Sequence, residues 1–247
     1  MKKYLKSLIP KDNPIYNFIN SFRTRPINPF HDTGFHGDPY LTSFVFSALK
    51  RSEQFIETGA SVGSTLIHVA EEFKDMSIYS CEPDKQTYRF VSAKAAGYKD
   101  VILLKKTSPE FLYLIEKKDP MLNKRDTVFW LDSHAMGFKW PLKDEVAFAT
   151  SRFSKGYIFI DDFLVPGSPQ FGYDRYDGQT CSFGYIEDSL DKAKEYRIYY
   201  PSYRNAPGLY DPLRGWVLIE FGHGDKWSLP PELEGKAVMS RFTRDCR

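Results

Sequence analysis

The residues best placed for chemistry in this chain are Glu57, the glycines at 59 and 63, and Glu82. Phe55-Ile56 is a short apolar run that ends in Glu57 and breaks into a turn containing Gly59, Ser61, Gly63 and Ser64. Beyond that turn, Leu66, Val69, Ala70 and Phe73 recur at helical spacing. A second apolar run, residues 78–81, ends in Glu82. Strand, glycine turn, helix and strand, with a carboxylate at each strand's C-terminal end, form a crevice suited to a nucleoside-containing cofactor. A dinucleotide fingerprint needs glycine at 61, where Ser61 stands. Glu57 also lies where a pyrophosphate would want positive charge. A ligand with an amino group and no phosphate suits the turn better.

A second constellation is Asp132-Ser133-His134 with Asp161-Asp162, again at the ends of apolar runs. Acids converging at one sheet edge repel unless a proton or a cation sits among them. Oxygen ligands favour Mg²⁺ or Ca²⁺ over zinc, so Asp132, Asp161 and Asp162 form a candidate Mg²⁺ set. His134 is the candidate base, since an imidazole can take up a proton under neutral conditions. The competing readings are plain: a capping pair at 161–162, a turn acid at 132, a loop histidine at 134. His31 and His36 are read as lid or surface histidines, His68 as structural, and Trp140 as a packed helix start.

The 57–63 segment resembles the first motif of class I S-adenosylmethionine-dependent methyltransferases, E/D-x-G-x-x-x-G. The resemblance implies S-adenosylmethionine as cofactor and a Rossmann-like methyltransferase fold. It implies Gly59 and Gly63 close to the cofactor, Glu57 near its methionine end and Glu82 on the ribose hydroxyls. Lys105-Lys106-Thr107-Ser108 stands where the family commonly has Gly-Asp-Ser, which leaves adenine to Ser108 and backbone. The implied cofactor set is Glu57, Gly59, Ser61, Gly63, Ser64, Glu82, Ser108 and Asp132. The later acids resemble the metal-dependent macrocin O-methyltransferase type, which pairs a D-G-D-H-like strand end with a D-D. That type usually separates acid and histidine by two residues, whereas only Ser133 intervenes here. The activity implied is methyl transfer to a hydroxyl of a small molecule or glycan, with Asp132 and His134 catalytic and Mg²⁺ assisting. A non-catalytic methyltransferase-like module that binds nucleosides or partners is the alternative. The motifs cover residues 50–165, and strand order extends the resemblance over 190–221.

The elements that must position these residues follow from the pattern. Helices are expected near 14–22, 40–51, 63–74, 84–96, 108–117, 140–152 and 184–195. Strands are expected at 53–57, 77–82, 101–104, 127–132, 156–161, 197–201 and 215–221. The alternation predicts an α/β fold: a seven-stranded, mostly parallel sheet with an antiparallel edge and helices on both faces. Residues 1–40 read as an N-terminal extension or lid, 41–225 as the methyltransferase-like domain and 226–247 as a tail. The loop 164–183 offers Tyr173, Arg175 and Tyr176 for substrate stacking and hydrogen bonds. A second aromatic loop, Tyr199 to Tyr210, is expected to close the opposite wall. Exposed aromatics with arginine serve equally in an interface between copies of the chain, so a homo-oligomer is the competing reading.

Bulk properties agree with one domain of this kind. At 247 residues the chain can bury roughly 70–75% of its unfolded surface without a staple. A formal charge of +2, with scattered Lys and Arg, argues against nucleic acid as the main partner. Cys81, Cys181 and Cys246 lack C-x-x-C spacing and read as reduced thiols of a cytoplasmic protein. The basic N-terminus has too short an apolar stretch for a signal peptide. No apolar run approaches the ~20 residues of a membrane span.

Overall fold

The computed structural model describes residues 34–134, 139–209, 213–224 and 231–242. The helix expected near 14–22, His31, Tyr210 and Cys246 lie outside these. Helix α1 (Pro39–Leu49) starts where the sequence says it should. Asp38 caps it by accepting from the N–H of Tyr40 and Leu41, with Pro39 in the first turn. Its buried stripe, Leu41, Phe44, Val45, Ala48 and Leu49, faces the sheet.

The sheet is built from β1 (Gln54–Thr58), β2 (Ser77–Cys81), β3 (Val101–Leu104), β4 (Thr127–Leu131) and β5 (Gly156–Ile160), all parallel. Helices α2 (Ser64–Glu72), α3 (Lys85–Ala95), α4 (Ser108–Lys118) and α5 (Leu142–Arg152) connect them. β1, β4 and β5 are buried at every residue, as the central strands of a doubly covered parallel sheet should be. Phe55, Ile78, Val128 and Phe159 pack with α1 and α2 on one face. Ile56, Tyr79, Phe129 and Ile158 pack with α4 and α5 on the other.

After β5 the chain runs through three two-residue strands, β6 (Phe171–Gly172), β7 (Arg175–Tyr176) and β8 (Gln179–Thr180), then α6 (Phe183–Ile186). Strands β9 (Tyr196–Pro201), β10 (Leu213–Arg214), β11 (Val217–Phe221) and β12 (Ala237–Phe242) complete the fold. The main sheet has the order β3-β2-β1-β4-β5-β11-β9-β12. β11 runs antiparallel between β5 and β9, and β12 is an antiparallel edge strand on β9.

Three expectations are corrected. The sheet has eight strands, not seven, because Ala237–Phe242 of the expected tail pairs along β9. Its exposed, mixed composition carries no period-2 burial signal. The helix expected at 184–195 is one turn of α-helix and a 3₁₀ turn at Glu187–Ser189, after which the Thr150 hydroxyl accepts from the N–H of Asp191. The second aromatic wall is core instead. Tyr199 is buried with its hydroxyl on Glu220, and buried Tyr203 donates to Asp38, the cap of α1. No helix among the described residues is long and apolar enough to cross a membrane.

Candidate active site

The first half of the site follows from strand register. Phe55 pairs with Ile78 and Ile56 with Tyr79, which brings Glu57 beside Ser80. The Ser80 hydroxyl donates to Glu57 Oε2 at 2.5 Å. Glu82, two residues beyond Ser80, faces the same side of the sheet. Glu57 and Glu82 thus lie on one side of the sheet at the ends of neighbouring strands. The turn between them is held by hydrogen bonds from the N–H groups of Gly59 and Ala60 to the Cys81 carbonyl. Gly59 has φ 85°, and a Cβ there would lie 2.4 Å from the Asp132 carbonyl oxygen, so only glycine fits. At Gly63, φ 82°, a Cβ would meet Val91 at 2.6 Å. Ser61 also lies at positive φ, and its N–H donates to Glu82 Oε2 at 3.0 Å. Ser64 opens α2 and Ser108 opens α4. Burial pushes the Glu57 carboxyl up to about 7, with Glu82 adding to the shift against the Ser80 hydrogen bond. Burial also raises Glu82, against hydrogen bonds from the N–H groups of Asp84 and Ser61.

The second half is a hollow walled by Asp132, Asp161, Asp162, Asp174, His134 and Tyr176. Consecutive strand residues face opposite ways. Asp162 escapes that alternation because its φ is 47°, which turns the chain so that both aspartates reach one space. Arg214 Nη1 donates to Asp162 Oδ1 at 2.8 Å. It is placed there by the β6–β10 pair, which sets Arg214 opposite Gly172. His36 Nε2 lies 2.6 Å from Asp161 Oδ2.

The loop after β5 is tethered rather than free. The N–H of Asp174 bonds the Asp162 carbonyl, that of Cys181 the Asp174 carbonyl, and that of Leu164 the Cys181 carbonyl. This strap brings the Tyr176 hydroxyl to Asp174 Oδ2 at 2.5 Å and to His134 Nδ1 at 2.7 Å. His134 Nε2 is 3.5 Å from Asp132 Oδ1. Of the expected substrate residues, Tyr176 joins the hollow. Arg175 instead lies over Tyr173 and donates to its hydroxyl, on the exposed side of the strap.

The acids resolve their repulsion unevenly. Burial and the charges of Asp161 and Asp162 push Asp132 well above the carboxylate range. Burial and Asp161 push Asp162 up to about 7, in spite of Arg214. Burial would raise Asp161 too, but His36 outweighs it and holds that carboxyl low. Burial lowers and Asp161 raises His36, and Asp161 prevails.

The residues fit a divalent cation. Asp161 Oδ1 is buried with no hydrogen-bond partner among the described residues. The hollow that Asp161 helps to line measures about 10 Å³, room for roughly one water or ion. Donor atoms of His36, Asp161 and Asp162 cluster within 4.8 Å of one another, as do those of His134, Asp162 and Asp174. Asp132 lines the hollow but belongs to neither cluster.

No family model matches the sequence, and no curated protein does. Solved structures do match. An O-methyltransferase from Bacillus cereus in complex with SAH aligns at TM-score 0.54 and 14% identity, over 88% of this chain and 95% of that one. The O-methyltransferase TomG from Streptomyces achromogenes, in complex with SAM, aligns at TM-score 0.52 and 12% identity, over 88% and 93%. The plantazolicin methyltransferase BpumL in complex with SAH aligns at TM-score 0.51 and 9% identity, over 85% and 91%. The fold is the Rossmann-like methyltransferase fold. At these identities the likeness establishes that fold and nothing finer.

On this methyltransferase fold, four residues near the site escaped the sequence reading of it: His36, Asp174, Glu145 and Arg214. His36 lies in Gly34-Phe35-His36-Gly37, with φ of 75°, 47°, 55° and 68°. Two non-glycine residues in the left-handed region cost roughly 1–3 kcal/mol each, and such strain clusters at functional sites. Phe35 anchors the segment: it is buried against Trp130, Phe46 and His68, and its N–H donates to the Thr65 hydroxyl. The bracketing glycines were the only signal available. Asp174 and Arg214 reach the site only through the strap and the β6–β10 pair.

Glu145, on the first turn of α5, is buried and faces the hydroxyls of Ser108, Ser133 and Thr58 without closing a direct hydrogen bond to any. Burial pushes its carboxyl from 4.5 to about 7. The folded state therefore keeps this proton to higher pH than the unfolded chain does. Its stability contribution is complete below pH ~4.5 and falls as pH rises to ~7, by on the order of 3 kcal/mol. Glu145→Gln should melt about 5–10 °C above the parent at pH 8 and within a degree or so of it at pH 4.5. Thermal unfolding at the two pH values checks this, and an equal gain at both would refute the assignment.

Proposed function

We propose that this chain transfers a methyl group from S-adenosylmethionine to a hydroxyl of a small molecule or glycan, with Mg²⁺ held by Asp132, Asp161 and Asp162. The observation that carries the reading is the alignment of two acid sets at the C-terminal ends of adjacent strands. Glu57 and Glu82 flank the glycine turn, and the aspartate hollow follows directly beyond β4 and β5. Ligands of open α/β sheets bind at this end.

Each residue then has a task. Glu57 offers a buried carboxylate to the amino group of the cofactor's methionine end, and Glu82 accepts from the ribose hydroxyls. Backbone at Gly59, Ser61 and Gly63, with Ser64, lines the turn, while Ser108 and neighbouring backbone meet adenine. When bound, the cofactor supplies a methyl already activated on a sulfonium. When bound at the three aspartates, Mg²⁺ supplies Lewis acidity that lowers the pKa of a chelated hydroxyl. His134, oriented by Tyr176 and Asp132, takes the hydroxyl proton, a contribution of roughly 10²–10⁴-fold. Holding donor and acceptor in line supplies several kcal/mol more, up to about 7–11 in ideal cases. Tyr176 marks the acceptor side, with Tyr173 and Arg175 at its outer rim.

Calorimetric titration of the full chain with S-adenosylmethionine and with S-adenosylhomocysteine tests the reading. Micromolar binding of both is expected. No heat from either at millimolar ligand would end it and leave the non-catalytic module.

A further inference from the structure

We propose that His36 and Arg214 are positioning residues that each hold one oxygen of the Asp161-Asp162 pair and so present the remaining oxygens to a divalent cation. This deepens the reading above and rests on its cation site. The division is atomic. His36 Nε2 lies 2.6 Å from Asp161 Oδ2, while Asp161 Oδ1 is buried with no hydrogen-bond partner among the described residues. Arg214 Nη1 takes Asp162 Oδ1 at 2.8 Å, leaving Oδ2 for another partner. Ligating carboxylates perform best when an outer partner fixes their orientation, and losing such a partner typically costs 10–100-fold in metal affinity.

Charge supports the arrangement. The hollow gathers Asp132, Asp161, Asp162 and Asp174. Arg214 bonds one of these acids and leaves the others to be balanced by protons or by an ion.

The backbone points the same way. His36 is delivered from a segment of four successive positive-φ residues. It is pinned behind by Phe35 on Trp130 and ahead by the Asp38 cap, which also accepts from Tyr203. Arg214 is delivered by a separate strand pair, β6–β10, whose neighbour Gly215 approaches the Phe163 carbonyl so closely that a Cβ would lie 2.1 Å from that oxygen. Two unrelated parts of the chain thus converge on adjacent aspartates.

The test is titration of the full chain with Mn²⁺, read by calorimetry and by loss of the free-ion electron paramagnetic resonance signal. The panel is the parent, His36→Ala, His36→Gln, Arg214→Ala and Arg214→Lys, each also titrated with S-adenosylhomocysteine. The alanine variants should bind Mn²⁺ about 10–100-fold more weakly. Gln and Lys, which keep an N–H donor, should recover most of that loss, and the affinity for S-adenosylhomocysteine should stay within about twofold. Equal or tighter Mn²⁺ binding by both alanine variants would overturn the positioning role while leaving the cation site standing. A parent that binds S-adenosylhomocysteine but no Mn²⁺ would overturn both. If His36→Ala does not fold, Arg214→Ala and the two conservative variants decide the matter.

Discussion

Asp161→Asn and Asp162→Asn should each lower methyl transfer by on the order of 10³-fold while changing the affinity for S-adenosylhomocysteine less than about threefold. The rate expectation follows from charge. Asparagine keeps the shape of the side chain but removes one of the anionic donors around the hollow. Loss of Lewis-acid assistance costs several kcal/mol, and each 1.36 kcal/mol is tenfold in rate. The affinity expectation follows from separation. The carboxylates proposed to face the cofactor, Glu57 and Glu82, are anchored by Ser80 and by backbone N–H groups that do not involve β5. Steady-state kcat with the acceptor, set against calorimetric affinity for the product cofactor, reads both numbers. A parallel fall in rate and in affinity would mean that the two acid sets form one binding unit, and the assignment of separate roles would be lost. The two variants should also differ in detail. Asp162→Asn leaves Arg214 facing a neutral amide, so adding Lys at 214 should not compound the loss. Asp161→Asn removes the partner that holds His36, and its melting temperature should fall further.

The parts of this site that the sequence discloses are those whose geometry is local. Glu57, Gly59, Gly63 and Glu82 lie within one strand–turn–helix–strand unit, where the ends of apolar runs fix both position and facing. The positive φ of Gly59 and Gly63 is what a tight turn into a helix demands. The strands from 54 to 160 fall within about a residue of their expected bounds for the same reason: each is a short run built around consecutive apolar residues. Legibility ends where contacts become distant in the chain. His36 and Asp161 are 125 residues apart and nothing periodic connects them. Tyr203 looked like a loop aromatic because its role, a hydrogen bond to the cap of a helix 165 residues earlier, has no local signature. β12 has no sequence signal, because an edge strand that is exposed along most of its length has no alternation to read. The strap from 164 to 183 reads as a loop in sequence because its strands are only two residues long and are fixed by backbone hydrogen bonds.

The affinity for S-adenosylmethionine should rise as pH goes from 6 to 7.5, and Glu57→Gln should abolish that rise. The sign follows from the free protein, in which burial holds the Glu57 carboxyl at about 7. Below that pH the group is protonated and offers no charge to an ammonium. Cofactor binding must then expel the proton, so affinity falls with decreasing pH and levels off above ~7.5. Further up, the ligand's own α-amino group loses its proton near pH ~8, which produces a descending limb that belongs to the ligand. In Glu57→Gln only this second limb should survive. Affinity at pH 7.5 should drop about 10–100-fold, the worth of a charge-assisted hydrogen bond of ~1.5–3 kcal/mol. Calorimetry in two buffers of different ionisation enthalpy adds an independent reading, with about half a proton released per parent molecule at pH 7 and none by the variant. Stability separates this acid from Glu145, which is buried to a similar depth and shifted to a similar value. Removing either ionisable group should stabilise the fold above pH 7, because neither carboxylate is comfortable there. Only at Glu57 should that gain come with a loss of cofactor affinity, since a carboxylate kept in the crevice at a cost to the fold is one retained for a ligand's charge. If Glu57→Gln melts higher and still binds S-adenosylmethionine as tightly as the parent, Glu57 is a packing residue and the cofactor's ammonium must be held elsewhere.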